Sequence, residues 1–260
     1  MDYLNYGNKV QQKPQGFDQQ KVQLSKEDFN FGDLNQQKTQ PQVAPPPVEP
    51  QIKNELIPLF AIPVVISDYK DGYDKELEWI KNLDCKDLVE EESKIYYNKQ
   101  TKDTFVLDRP QLANIREFIE KEIKKYVTQV MGTDEQFIIT QSWINKNSKG
   151  ESHHEHTHPN SMISGVWYPQ INEKSAPIKF RNSNQRDVLP NLKRLNQFNS
   201  ATFLLPMRKG ELIIFPSNLL HSVPPNQIDE ERISLSFNTW IKGNMGEESN
   251  LTYLPLDRCL

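Results

Sequence analysis

The pattern of apolar and polar positions changes character twice along the chain. Residues 1–54 show no apolar period. They are rich in Gln, Lys, Pro and Asp and close on the run Gln40-Pro41-Gln42-Val43-Ala44-Pro45-Pro46-Pro47. From Leu56 to Ile66 apolar residues crowd together with Pro58 and Pro63 among them, as in a strand with edge prolines. A helical period follows. Leu77, Ile80 and Leu83 share one face of a short helix predicted over 74–83. Leu112, Ile115, Phe118, Ile119, Ile123, Tyr126, Val127 and Val130 recur at helical spacing over 110–131. Asp108 is placed to cap that longer helix, Pro110 to open its first turn and Gly132 to stop it. Beyond Gly132 the period falls to two, and 137–145, 162–168, 177–182, 211–215 and 232–241 are predicted strands separated by Gly, Pro and Asn.

Two helices followed by a run of strands predict an α+β, mainly β chain, with the helices on one face of an antiparallel sheet or barrel. The same pattern predicts three parts: a Gln/Pro-rich arm or linker over 1–54, disordered or extended; a folded domain over 55–242; and a C-terminal tail over 243–260. Fully extended, an arm of some fifty residues spans at most roughly 170 Å, enough to tether the domain to partners in an assembly. Residues 183–206 form a long polar stretch without pattern, a candidate lid or substrate contact. Arg186, Lys193 and Arg194 within it would suit an acidic substrate, although charges on such loops are ordinarily only solvated.

Composition narrows the setting. The apolar fraction is 36% and the mean hydropathy −0.73, so part of the chain stands outside any core. A net charge of −4 gives no electrostatic case for nucleic acid or an anionic membrane as partner. The two cysteines, Cys85 and Cys259, form no C-x-x-C, which argues against a disulfide framework and for a reducing cytoplasm. The opening MDYLNYGNKVQQ has no signal-peptide character, and no apolar run is long enough for a membrane span.

The candidate chemistry lies in the histidines. The chain has 5, and all of them are His153, His154, His156, His158 and His221. Imidazole is the commonest protein ligand for divalent transition metals, and a mononuclear oxygenase site needs ligands on one face of the octahedron with open positions opposite. Residues i and i+2 of a strand point the same way, so two such ligands plus a third from a distant strand supply that face. In an unbroken strand His154, His156 and His158 lie on one side, His153 and Glu155 on the other. Three registers stay open: His153-x-Glu155 with His221, His154-x-His156 with His221, and His156-x-His158 with His221. A histidine-rich surface loop with incidental metal affinity is the bland reading. Downstream, the alternation of Arg232-Ile233-Ser234-Leu235-Ser236-Phe237 puts Arg232, Ser234 and Ser236 on one face. A buried arginine needs an anion. A bidentate carboxylate ligand would supply one, and so would a structural ion pair with Glu211 or Asp229.

Several motifs occur in a fixed order: Trp143-Ile144-Asn145, Gly150, His156-x-His158-Pro159-x-Ser161-x-x-Ser164-Gly165-Val166-Trp167-Tyr168, Gly210-x-Leu212-x-x-Phe215-Pro216-Ser217-x-x-x-His221-x-Val223-x-Pro225-Asn226, and Arg232-Ile233-Ser234-x-Ser236-Phe237-Asn238. Together with Leu59-Phe60-Ala61-Ile62-Pro63, they resemble the 2-oxoglutarate/iron(II) oxygenases of bacteria and marine tailed phages, over roughly 56–242. The resemblance implies a double-stranded β-helix (jelly-roll, cupin-like) core with two supporting helices. It also implies Fe(II) held by His156, His158 and His221, and 2-oxoglutarate held by Arg232 with help from Ser234. Dioxygen and an unknown substrate to be hydroxylated complete the reaction it implies. His154 would line the same pocket. One departure stands out: oxygenases of this superfamily usually carry His-x-Asp or His-x-Glu where this chain has His156-x-His158. The alternative implied by the same likeness is a phage virion protein, structural or accessory, tethered through residues 1–54 to other virion proteins.

Overall fold

The computed structural model describes residues 61–90, 95–182 and 191–256. The predicted arm over 1–54, most of the strand expected from Leu56 and Arg186 lie outside them. The described elements are β1 (Val65–Asp68), α1 (Asp74–Lys81), β2 (Cys85–Glu90), β3 (Ile95–Thr101), α2 (Ala113–Lys125), β4 (Phe137–Asn147), β5 (His153–His156), β6 (Ile163–Gln170), β7 (Ile178–Arg181), β8 (Thr202–Leu205), β9 (Glu211–Pro216), β10 (His221–Val223) and β11 (Arg232–Ile241). Among the described residues they make two antiparallel sheets, in the orders β1-β9-β6-β11-β4-β3-β2 and β5-β10-β7-β8. From β4 to β7 the chain crosses between sheets at every step. β8 then pairs β7, β9 returns to the larger sheet, β10 goes to the smaller one, and β11 closes beside β4. The alternation gives each sheet four of these eight strands. It brings β5 and β10, which carry His156 and His221, side by side although they are far apart in sequence.

The larger sheet is buried on both faces, for two different reasons. Its outer face carries the helices. Ile80 of α1 and Ile115, Ile119 and Ile123 of α2 pack with Ile144 of β4 and with Ile233, Leu235 and Phe237 of β11. Each fully buried isoleucine of this kind contributes about 1.5–3 kcal/mol. Its inner face meets the smaller sheet, where Val166, Tyr168, Ile213 and Phe215 pack with Ile178 and Phe180. The predicted alternation in β11 is therefore present: odd positions support the helices, and Arg232, Ser234 and Ser236 face the space between the sheets.

Gly165 shows how tight this sandwich is. It lies on β6 opposite Phe237, and a Cβ there would stand 2.3 Å from Phe237 Cζ and 2.8 Å from the Ile213 carbonyl. Gly165→Ala is expected to destabilise the domain by about 1–3 kcal/mol through overpacking, read as a lower urea midpoint with an unchanged m-value.

The helix predicted over 110–131 is divided. Pro110–Leu112 is a 3-10 turn, Ala113–Lys125 is α2, and Tyr126–Met131 winds as a π-helix before Gly132, at φ 70°, ends it. Asp108 is not the N-cap; its carboxylate pairs with Arg116 on the first exposed face of α2, and no side chain caps the helix. The predicted short helix ends at Lys81, and Leu83 packs from just beyond it. Residues 61–64 precede β1 as irregular chain, so the strand begins later than the apolar run. β2, β3, β8 and β10 were not predicted; each is short or mainly polar, and β2 and β3 are ordered by pairing with one another as a hairpin. In the C-terminal tail, Met245 and Leu254 form a β-bridge around a 3-10 turn at Glu248–Asn250. No described helix is long and apolar enough to cross a membrane.

Candidate metal centre

The two sheets enclose a space of about 430 Å³, counting its open mouth. β4 contributes Trp143, Asn145 and Asn147, β6 contributes Val166 and Tyr168, and β11 contributes Arg232, Ser234 and Ser236. His153, His156, His158, Ile178, His221, Ser222 and Val223 line it from the opposite side. A second hollow, lined by Lys81, Lys86, Lys99 and Lys146, is open and has a structural explanation: Lys146 Nζ donates 2.8 Å to the Lys81 carbonyl at the end of α1.

The imidazoles of His156, His158 and His221 place one potential ligand atom each within 4.8 Å of one another. His156 and His221 sit opposite in the β5–β10 pairing, with ring centroids 4.4 Å apart. His158 lies past the end of β5 and is fixed by its own backbone, whose N–H donates 2.9 Å to the Ser217 carbonyl. Its ring lies parallel to that of His221, with an interplanar angle of 3°, and the Trp143 ring stacks against it at 5.8 Å.

The partners behind these rings decide where their lone pairs point. His221 Nδ1 lies 2.9 Å from the Leu219 carbonyl and His156 Nδ1 lies 2.9 Å from the His154 carbonyl. A carbonyl only accepts, so both Nδ1 atoms carry the proton and both Nε2 atoms keep a lone pair. The Asn238 side chain faces His158 and partly opposes the lowering of its pKa, and Asn238 Oδ1 accepts from Ser164 Oγ at 2.9 Å. His158 Nε2 stands 3.2 Å from His221 Nε2. Two nitrogens bound side by side to one ion with bonds of about 2.1 Å are about 3.0–3.4 Å apart, so the pair already has the spacing of joint ligands. The donor set is three neutral imidazoles and no carboxylate, which suits iron(II), zinc, nickel or copper and leaves the full charge of a divalent ion uncompensated.

Burial, reinforced by the neighbouring imidazoles, holds His158 down at about 3 and His221 at about 4, and lowers His156 as well. An unfolded histidine takes its proton near 6.5. Between that value and the depressed folded values only the unfolded chain binds the proton, so acid favours unfolding. The metal-free protein is expected to lose up to about 1.4 kcal/mol of stability per pH unit for each of His158 and His221 between pH ~6.5 and ~4. Urea unfolding at stepped pH measures this.

Arg232 is 2% exposed and has no carboxylate partner among the described residues. Its Nε donates 3.2 Å to the Ala176 carbonyl, and its Nη1 donates 3.3 Å each to Asn147 Oδ1 and Ser234 Oγ. The structural ion pairs expected as the alternative are not formed: Asp229 takes Lys149 at 3.0 Å, and a Glu211 carboxylate oxygen accepts the Arg208 backbone N–H at 2.7 Å. The guanidinium lies over the Tyr168 ring, 5.0 Å from its centre. The Tyr168 hydroxyl is fully buried close by but makes no well-formed hydrogen bond. A buried cation and an orphaned hydroxyl in one cavity are the features a ligand carboxylate would satisfy together. Below them Asn226, 1% exposed, holds the 223–231 loop to β4 by donating to the Asn147 carbonyl at 3.3 Å.

Of the sequence-predicted residues, His156, His158, His221, Arg232 and Ser234 share this cavity. Two expectations are overturned. Glu155 points outward to Arg181 at 2.9 Å, which removes the His153-x-Glu155 register. His154 is exposed and does not line the cavity, whereas His153 does. The cause is a bulge: His221 pairs with His156 but Val223 pairs with His153, so β5 has one extra residue and the parity of an unbroken strand fails. Tyr168, Asn147 and Asn238 were given no role from sequence. Strand alternation from Arg232 through Ser234 and Ser236 was the signal that could have found Asn238.

Residues 141–238 match the family model described as "Putative 2OG-Fe(II) oxygenase". Among solved structures, the chain is similar to the non-heme alpha ketoglutarate dependent epimerase SnoN from nogalamycin biosynthesis. That likeness has a TM-score of 0.51 and 10% identity, and it covers 70% of this chain and 80% of that one. The carbocyclase SnoK of the same biosynthesis is similar at a TM-score of 0.50 and 9% identity, covering 70% and 81%. An oxidoreductase of the 2OG-Fe(II) oxygenase family from Burkholderia pseudomallei aligns at 0.49 and 13%, covering 68% and 84%. No curated protein matches the sequence. The fold is the double-stranded β-helix, and residues 141–238 carry on it the sequence pattern of the 2OG-Fe(II) oxygenase family that the motifs of this chain resemble.

Proposed function

We propose that this chain is an iron(II)- and 2-oxoglutarate-dependent oxygenase. The observation that carries the reading is Arg232, buried without a carboxylate partner among the described residues, in the same cavity as three imidazoles that each place a ring nitrogen within 4.8 Å of the others. His156, His158 and His221 would hold the iron. Arg232 would grip the distal carboxylate of 2-oxoglutarate, with Tyr168 Oη and Ser234 Oγ beside it. When bound, iron and 2-oxoglutarate supply the oxidation: dioxygen is consumed, 2-oxoglutarate becomes succinate and carbon dioxide, and a substrate C–H bond is hydroxylated.

The chain's own residues supply position and dryness. The Leu219 and His154 carbonyls fix the tautomers of His221 and His156, and Asn238 orients His158. Phe215 meets the His221 ring edge-on at 4.9 Å and Trp143 covers His158, so two of the ligands are screened from water by aromatic rings. Asn147 and the Ala176 carbonyl hold the guanidinium plane before any ligand arrives, which lowers the ordering cost of binding.

Tyr168 offers a separate test. Tyr168→Phe removes a hydroxyl that makes no well-formed hydrogen bond among the described residues and leaves the ring under the Arg232 guanidinium in place, so the stability of the metal-free protein should change by no more than about 0.5 kcal/mol. Affinity for 2-oxoglutarate should fall by about 3- to 10-fold if that hydroxyl donates to its carboxylate. Calorimetric titration with 2-oxoglutarate under anaerobic conditions reads both the loss and its absence. The oxygenase reading itself is tested by succinate formation with iron(II), 2-oxoglutarate and dioxygen. Metal is quantified on the same sample, and failure of iron-loaded protein to turn over 2-oxoglutarate even slowly argues against it.

A further inference from the structure

The five histidines form two overlapping trios. His153, His154 and His156 also place a ligand atom each within 4.8 Å of one another, and His156 belongs to both trios. The bulge in β5 makes this possible. In a regular strand His153 and His154 would face opposite ways. With the extra residue, the His153 ring turns to the His156 side, 4.7 Å away, and the His154 ring comes to 5.0 Å from His153 and 4.9 Å from His156. Tyr97 packs against His154 at 5.1 Å and limits its swing. The ring nitrogens of His153 make no hydrogen bond among the described residues. This trio lies on the solvent side of the other: His154 is exposed, whereas His221 is 5% exposed.

We propose that His153, His154 and His156 form a second position for a divalent transition-metal ion, at the mouth of the cavity, which competes with the inner trio for His156. Three neutral imidazoles favour zinc, nickel, cobalt or copper over magnesium or calcium. A tetrahedral ion with bonds of about 2.1 Å needs its nitrogens about 3.4 Å apart, within reach of small side-chain rotations from the observed spacing. His156 has one nitrogen committed to the His154 carbonyl, and the single lone pair left serves one ion at a time. The outer position stands on its own geometry; the competition rests on reading the inner trio as the iron site. Its consequence is inhibition: an ion held outside takes a ligand from the ion inside.

The test uses the full chain stripped of metal, with cobalt(II) as the probe and visible absorption plus equilibrium dialysis as readouts. The variant His158→Ala/His221→Ala lacks the inner trio and is expected to bind one equivalent of cobalt. Adding His154→Ala, a change at an exposed residue, should weaken that binding by at least about tenfold. Folded His158→Ala/His221→Ala protein that binds no cobalt overturns the proposal, and so does cobalt binding indifferent to His154→Ala. If the doubly substituted protein does not fold, the single His154→Ala change in the otherwise native chain decides. The zinc concentration that halves iron(II) retention should then rise about tenfold, and an unchanged value overturns the outer position. Cobalt binding by the outer trio in protein that gives no iron(II)–2-oxoglutarate absorption would separate the two readings, sustaining this one and sinking the other.

Discussion

Arg232→Met is expected to weaken 2-oxoglutarate binding by on the order of 100-fold or more while leaving metal affinity within about threefold of the native value. Removing one partner of a buried, hydrogen-bonded charge pair costs about 2–5 kcal/mol, which is roughly 30- to 5,000-fold in affinity. The same substitution should be mild for the metal-free fold. Among the described residues Arg232 donates to the Ala176 carbonyl, Asn147 and Ser234 and lies over Tyr168, with no carboxylate beside it, and burial lowers its pKa. An isolated buried charge is costly, and methionine fills a similar length, so the stability of the metal-free protein should change by about 1 kcal/mol or less. A structural ion pair would behave in the opposite way, with a loss of about 3–5 kcal/mol in stability and no selective effect on the ligand. Arg232→Lys is expected to recover only part of the affinity, because an ammonium lacks the planar fork that meets a carboxylate with two bonds. Calorimetric titration of metal and of 2-oxoglutarate, with urea unfolding on the same variants, separates these outcomes.

His221→Ala is expected to lower iron(II) affinity by more than about 100-fold, beyond the losses caused by disturbing only the groups behind metal ligands. It is the most buried of the three imidazoles, and its Nε2 faces that of His158 at 3.2 Å while its Nδ1 is held by the Leu219 carbonyl. His156 and His158 alone cannot define one face of an octahedron. The neutral donor set adds a prediction of direction. His158→Asp places a carboxylate where the oxygenases that these motifs resemble usually have one, and lowers the net charge of the loaded site by one. Iron(II) should then gain relative to zinc and copper, because carboxylate oxygen is a harder donor than imidazole nitrogen. Competitive loading with iron and zinc, read by metal analysis, gives the ratio.

The sequence made the strands with a clean period of two legible, and β11 was located to the residue. Its alternation also placed Arg232, Ser234 and Ser236 on one face, because β11 pairs with β4 in unbroken register from Arg232 to Asn238, and the register shift against β6 between Ile233 and Leu235 puts its extra residue on β6. The histidine strand was harder. Parity assumed an unbroken β5, and the extra residue between His153 and His156 exchanged the roles of His153 and His154. No local signal marks that bulge; it comes from β10, whose short run pairs His221 with His156 and Val223 with His153. β2 and β3 were missed because they are polar strands whose order comes from pairing with one another and with β4. The single amphipathic period of 110–131 concealed a change of winding at Tyr126, where the helix keeps its apolar face but opens to a π-helix. Tyr168 was legible only as a core aromatic. Its lack of a well-formed hydrogen bond, like the lack of a carboxylate beside Arg232 among the described residues, is a property of the assembled cavity and of no single element.

The most direct measurement is the visible spectrum of the full chain with iron(II) and 2-oxoglutarate in the absence of oxygen. Three imidazoles on one ion, with Arg232 holding the far carboxylate, predict a metal-to-ligand charge-transfer band that appears only when both iron(II) and 2-oxoglutarate are present. The band should be lost in both His221→Ala and Arg232→Met, with iron still bound in the latter. Iron-loaded native protein that shows no such band, or a band that survives Arg232→Met at full strength, would contradict the account.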